Sequence, residues 1–408
     1  MRRIVLSALA AFSLASFATP CTTAIINGKH TASGRPLLWK HRDSGFEQNV
    51  VRYFSDGRFA YIGLLNAADR AGLEVWAGVN AAGFAIMNSA SYNLKPPTDT
   101  TSLADREGFV MKLALQNCAT LDDFERMLDT LAKPLGVEAN FGVIDGEGGC
   151  AYYETTNFGW RKIDANDPAV APHGYVIRTN YSAYGARDEG YGYIRHLAAE
   201  KLFHQAAAID GLSAPFLLQT CSRSLDHALT GVDLREEAKN GATWRTFQDF
   251  IPRSSSVSTV VVEGVRTDEP GELATMWTIL GFPLTSVATA HWTAGGDALP
   301  DLLSPNESGV APLCELSLAL KSRLFPITRG SGERYIRLPA LLDSETGVAA
   351  PLAEIEEASI ARAEEIVERN RREGFDGEAV AEYYAWIDEG LFDLLRRAFP
   401  EEAASVRD

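Results

Sequence analysis

Cys21-Thr22-Thr23-Ala24-Ile25-Ile26-Asn27, followed by Pro36-Leu37-Leu38-Trp39-Lys40-His41-Arg42-Asp43-Ser44, is the stretch that decides the fold. Residues 22–27 are β-branched and apolar, residues 28–34 are turn-like, and residues 36–41 can return as a second strand. The pattern predicts a hairpin that starts at Cys21. Its return strand carries Lys40, Arg42, Asp43 and Ser44 back beside that first residue. Lys40 and Asp43 then offer a cation and a carboxylate close to one thiol. Strand alternation turns Arg42 to the face opposite Asp43.

Outward from the hairpin, strands come in clusters. Residues 59–65, 73–79 and 84–88 form one series, with Asn80-Ala81-Ala82-Gly83 as a turn. Residues 140–144, 151–155 and 159–163 form another, joined through Asp145-Gly146-Glu147-Gly148-Gly149, and residues 176–180 follow. Residues 257–262 and 273–280 pair late in the chain. Helical spacing runs over 106–131, with Phe109, Leu113, Leu115, Phe124 and Leu128 inward, and over 189–208 and 213–225. Residues 282–332 are rich in Pro and Gly and give no clear assignment. Residues 352–372 and 377–399 read as charged amphipathic helices packed on the outside. Antiparallel clusters with helical blocks between them, and no repeating βα rhythm, predict an α+β layered domain. No internal repeat or composition break sets off a second domain.

Composition narrows the function. The 408 residues hold 38 Lys+Arg against 54 Asp+Glu, a net charge of -16, with 46% hydrophobic residues. There is enough apolar material for a sizeable core. An acidic chain with no basic run longer than a pair is unsuited to a phosphate backbone, so nucleic acid is excluded as a partner. Met1-Arg2-Arg3 and the apolar residues 4–18 read as a signal peptide with cleavage after Ala18. Thr19-Pro20 would be a short propeptide, and the product an exported protein, periplasmic or secreted, with no stable membrane insertion. The five cysteines, Cys21, Cys118, Cys150, Cys221 and Cys314, show no CxxC and no zinc spacing. Cys118 and Cys150 read as small buried hydrophobes. No dinucleotide, Walker, GxSxG or HExxH motif occurs.

Cys21 is different because it sits just past the cleavage site. As the first residue of a mature chain, it would carry its own α-amine beside its own sulfur. A free α-amine has a pKa of about 7.7–8.0 and a free thiol about 8.5. One residue then supplies both nucleophile and base. The thiol can also attack the Pro20–Cys21 bond and release that amine.

These residues resemble the cysteine-type N-terminal nucleophile (Ntn) hydrolases, the group of choloylglycine hydrolases, penicillin V acylases and acyl-coenzyme A:isopenicillin N acyltransferases. Cys21-Thr22-Thr23 with Lys40-x-x-Asp43 is similar to their start. Asn80 to Asn88 is similar to their "N-x-x-G…N" strand, and Tyr152-Tyr153-Glu154 with Trp160-Arg161-Lys162 to their central strand pair. Arg178-Thr179-Asn180-Tyr181 and Met276-Trp277-Thr278-Ile279-Leu280-Gly281 are similar to two later elements. The resemblance runs from Cys21 to about Trp292. It implies a four-layer αββα sandwich of antiparallel sheets, assigned here to 21–345; the amphipathic pattern beyond it makes 346–408 a C-terminal helical extension packed on the same domain. It also implies catalytic roles for Cys21, Asp43, Asn88, Asn180 and Lys40, with no cofactor and no metal. Asn88 would be the oxyanion asparagine and Asn180 the second one.

The chain departs from the family in having Lys40 where Arg is usual, which loses the bidentate fork. Bile salt hydrolases have a further arginine at the start of a late strand; Arg253 is displaced from that register, which argues against bile salts. The implied activity is hydrolysis of a linear, non-peptide amide in a small molecule through a thioester, or transfer of the acyl group to another amine. Two alternatives stand beside it: a cysteine-type Ntn dipeptidase, and a non-catalytic envelope lipoprotein lipidated at Cys21. A homo-oligomer is compatible with the sequence. Glu154 reads as a structural partner of Arg161 or Arg178. His41, His173 and His291 read as structural.

Overall fold

The computed structural model describes residues 21–101 and 104–406. The expected signal peptide and propeptide, residues 1–20, lie outside them. Thr22–Ile26 (β1) and Leu37–Asp43 (β2) form the expected hairpin, with Thr22 opposite His41 and Thr23 opposite Lys40. A meander follows: Asn49–Phe54 (β3), Tyr61–Asn66 (β4), Ala77–Asn80 (β5), Ala85–Ala90 (β6), Ala139–Ile144 (β7), Cys150–Thr155 (β8) and Trp160–Asp164 (β9). These make a seven-stranded antiparallel sheet in chain order. Tyr175–Arg178 (β10) goes to the other side of the hairpin.

Two small ribbons pair Asp226–His227 (β11) with Val232–Asp233 (β12), and Trp244–Thr246 (β13) with a later strand. Ser256–Glu263 (β14), Thr275–Leu280 (β15) and Ala288–His291 (β16) complete a six-stranded sheet in the order β10-β1-β2-β14-β15-β16. Tyr335–Arg337 (β17) is the partner of β13. Face to face, β1 and β2 of the six-stranded sheet meet β6 and β7 of the seven-stranded one. Helix Glu107–Asn117 (α1) covers the outer face of the second sheet at β5 and β6, with Leu121–Thr130 (α2) beside it. Tyr193–Ala207 (α3) packs on β10 and Ala349–Glu373 (α4) on β16. This is the expected αββα layering.

Both sheets are covered on both faces, so β1, β2, β7, β8 and β14 are buried along their whole length. That is why their sequences run apolar, or small and hydroxylated, instead of alternating strictly. Where α1 crosses β5, Gly63 pairs with Gly78. A Cβ on Gly78 would lie 2.5 Å from the Ile62 carbonyl oxygen and 2.8 Å from Leu115 Cδ1. The glycine is what lets the helix settle on the sheet.

Several local expectations need correction. The helix expected over 106–131 is two helices broken at Cys118, because Thr120 and Asp123 form a reciprocal capping box that starts α2 afresh. Phe109 is outward, stacked beneath Arg106, while Val110, Met111, Ala114 and Leu115 face the core. The 213–225 helix contracts to a wide helical turn, Phe216–Cys221. The 377–399 helix is interrupted at Ile387–Leu391. The unassigned 282–332 region holds β16 and a helix, Pro312–Leu324.

The C-terminal helices have a specific contact with the sheet. Strand β16 lies at its edge, and the N–H groups of Ala288, Ala290 and Trp292 donate to Glu356 Oε2 (2.8 Å), Tyr383 Oη (3.1 Å) and Tyr384 Oη (3.1 Å). Ser359 Oγ donates to Ala288 O at 2.8 Å. No described helix is long and apolar enough to cross a membrane.

Gly78→Val is expected to cost about 1–3 kcal/mol, the usual penalty for overpacking. It would lower the urea midpoint with the slope unchanged; an unshifted midpoint would show that α1 does not rest on this glycine.

Candidate active site

The ladder sets the site. With Thr22 opposite His41, Cys21 falls at the end of β1 beside the last residues of β2. Its Sγ donates to Asp43 O at 3.9 Å. Cys21, Lys40, Arg42, Asp43, Asn88 and Asp105 line one small pocket of about 60 Å³. A larger hollow of about 340 Å³, bounded by Lys162, Arg178 and Glu200, contains no cysteine.

Lys40 is buried and donates to Trp76 O (2.7 Å) and to Asn88 Oδ1 (2.6 Å). That second bond fixes the Asn88 amide, with Nδ2 as the remaining donor for the pocket. Burial pushes Lys40 down to about 7; proximity to Cys21 is the foremost influence acting the other way, and Arg42 adds to the lowering. Arg42 corrects an expectation. It lines the same pocket as Asp43, held by Asn49 Oδ1 (2.5 Å) and Asn66 Oδ1 (2.8 Å) and stacked over Trp76. Lys40 and Arg42 are two residues apart on one strand and so share a face. Arg42 thus adds a second cation to the pocket, with both terminal nitrogens held by asparagines.

Asp43 is fully buried. Its Oδ1 accepts from Ser256 Oγ at 2.5 Å, while Oδ2 is enclosed with no hydrogen-bond partner among the described residues. Burial holds its carboxyl above the usual carboxylate range, and Arg253, Arg195, the Ser256 hydrogen bond and Arg42 offset that only in part. Arg253 was set aside for its register, yet it is the first of the charges acting on Asp43.

Arg195, on α3, was missed from the sequence. It is completely buried, and Nη1 donates to Cys21 O (2.6 Å) and Thr22 Oγ1 (2.7 Å) while Nη2 donates to Asn180 Oδ1 (2.8 Å). It ties the first residue of β1 to Asn180. Asn180 Nδ2 in turn donates to Ala90 O at 2.9 Å, and Ala90 lines the pocket. Asn180 therefore touches the pocket through Ala90. Glu154 takes Arg178, not Arg161: Arg178 Nε donates at 2.9 Å, and the N–H groups of Ala183 and Tyr184 add two further bonds.

The other cysteines are unsuited to chemistry. Burial pushes Cys118 and Cys314 up to about 12, and Cys150 and Cys221 well above the usual thiol range. Cys21, by contrast, shares a pocket with Lys40 and Arg42. No metal-holding cluster of His, Cys, Asp or Glu occurs among the described residues.

No family model matches the chain, and no curated protein matches it. Solved structures do. It is similar to an ortholog of N-acylethanolamine-hydrolyzing acid amidase from Caenorhabditis elegans, at 14% identity over 60% of this chain and 92% of that one, with a TM-score of 0.40. It is similar to a variant of conjugated bile acid hydrolase from Clostridium perfringens, at 11% identity over 67% and 93%, TM-score 0.36. It is also similar to penicillin V acylase from Agrobacterium tumefaciens, at 12% identity over 67% and 86%, TM-score 0.35.

Two outcomes follow from this geometry. Lys40 has a folded value of about 7 and an ordinary value of 10.5, so the unfolded chain holds the extra proton between them. Stability gained from Lys40 therefore rises with pH across that window. Wild type should gain on Lys40→Met, in urea midpoint, from pH 7 to pH 9; a constant difference would refute the shift. Iodoacetamide at pH 8 should place one adduct on the native protein, at Cys21; peptide mapping that finds it on another cysteine would remove Cys21 from its special position.

Proposed function

We propose that this protein is an exported cysteine-type Ntn amidohydrolase that cleaves linear C–N amide bonds in small molecules, of the N-acyl amino acid or acylated amine type. The observation that carries the reading is Asp43: a buried carboxyl with one oxygen unpartnered, on a residue that lines the same pocket as Cys21. A buried unpaired carboxylate oxygen is costly, and a newly exposed α-ammonium on Cys21 is the group that would satisfy it.

In this reading Cys21 Sγ first attacks the Pro20 carbonyl, the peptide bond breaks, and the Cys21 amine is freed as water releases the leader. In turnover, the amine takes the thiol proton and the thiolate attacks the substrate carbonyl. Asn88 Nδ2, fixed by Lys40, donates to the tetrahedral oxyanion. The C–N bond breaks, the ammonium proton goes to the leaving amine, and a thioester remains on Cys21. Water then gives a proton to the α-amine, attacks the thioester, and releases the acid and the thiol. A second amine in place of water makes the same step acyl transfer. Arg195 holds the Cys21 carbonyl and Asn180 throughout.

One observation favours a second reading, a dipeptidase. Asp105 lines the same pocket and offers a carboxylate to a free α-amine on the substrate. Parallel assays of N-acyl amino acids and unblocked dipeptides separate the two.

The mature protein should begin at Cys21 by intact mass. Cys21→Ala should retain Pro20, lose turnover to background, and melt near the wild-type temperature. An active Cys21→Ala protein, or a diacylglyceryl group on Cys21, would end this proposal.

A further inference from the structure

The buried residue His41 is next to the site but outside the chemistry just described. Its ring bridges two hydroxyls: Nδ1 lies 3.1 Å from Thr259 Oγ1 and Nε2 lies 2.9 Å from Ser256 Oγ. Ser256 Oγ also accepts from Arg253 N–H at 2.9 Å, and it donates to Asp43 Oδ1. We infer that Thr259, His41 and Ser256 form a one-directional hydrogen-bond relay that fixes the Asp43 carboxylate, with His41 as a positioning residue held in its Nε2–H tautomer. This rests on the reading of Asp43 as the partner of the Cys21 amine.

Counting protons sets the direction. An ionised Asp43 can only accept, so the single Ser256 hydroxyl proton points to it. Ser256 must then accept from His41, which places a proton on Nε2. A neutral imidazole carries one proton, so Nδ1 is an acceptor and the Thr259 hydroxyl donates to it. The ring stays neutral because burial, with the positive charges of Arg195 and Arg223, pulls it down to about 3. Every member is satisfied in this order, and it reverses only if a proton sits on Asp43 Oδ1 itself.

The backbone is arranged for this. His41 sits directly opposite Thr259 across β2 and β14. Regular pairing would then set Val257 against Asp43, but a bulge between Ser256 and Ser258 puts Ser256 there. One extra residue in β14 re-aims a hydroxyl at the carboxylate.

Two measurements test the relay. Nitrogen-15 NMR of the histidine-labelled full chain, with the His41 signal assigned by its loss in His41→Gln, should show a neutral ring protonated at Nε2 from pH 5 to pH 8. An Nδ1–H tautomer or an imidazolium would overturn the proposal. In kinetics, Ser256→Ala and His41→Leu should lower kcat on the order of 10–100-fold, the size seen for partners that orient functional ligands, with KM little changed. His41→Gln, whose amide N–H can reach Ser256, should recover most of the loss. Wild-type kcat in both folded loss variants would overturn it as well. If the variants fail to fold, the wild-type tautomer still decides. A wild-type protein that has no turnover and does not begin at Cys21 would defeat the amidohydrolase reading instead, and the NMR result is independent of that.

Discussion

The antiparallel register of β1 on β2 governs the rest of the molecule. Thr22 against His41 and Thr23 against Lys40 leave Cys21 at the strand end, level with Arg42 and Asp43. A slip of one residue would exchange the faces of Lys40 and His41, sending the ammonium into the β14 hydroxyls and the imidazole into the pocket. The register is protected because β1 and β2 are buried on both faces, so a slip would misplace Ile25, Leu38 and Trp39 together.

That register makes the site electrostatically tense. Lys40, Arg42, Arg195 and Asp43 all lie in the interior, where charges are expensive unless paired. The protein meets this with fixed partners: Asn49 and Asn66 for Arg42, Trp76 O and Asn88 for Lys40, and Cys21 O, Thr22 and Asn180 for Arg195. Among these described residues two buried atoms are left over, Arg195 Nε and one oxygen of Asp43. Stability would be better served by an apolar core at these positions, so the cost is concentrated where the chemistry is proposed to be.

Much of this was legible in the sequence because it is local. The hairpin, the 139–164 strands and the layered class follow from β-branched runs broken by turn residues, and Lys40 and Asp43 follow from where such a hairpin returns. What was not legible depends on distant chain. Arg195 meets Cys21 across 174 positions, from a helix whose sequence gives no sign that one arginine points inward. Ser256 faces Asp43 only because of a bulge, which no pattern in Ser254–Thr259 announces. Arg42 was placed on the wrong side because alternation was counted from Asp43, at the strand end, when the pocket face is defined by Lys40. Strand β3 was overlooked because Asn49 and Arg52 interrupt its apolar run, although Asn49 is there to hold Arg42.

The row of side chains along β16 gives the C-terminal helices a reason to exist. An open strand at the margin of a sheet is an invitation to any passing extended peptide, including another copy of the same chain. Here the amides that would answer that invitation already point into a carboxylate and two phenols from the helices that follow. The last sixty residues thus act as a selvedge, finishing the fabric so that it cannot be knitted onward from that side.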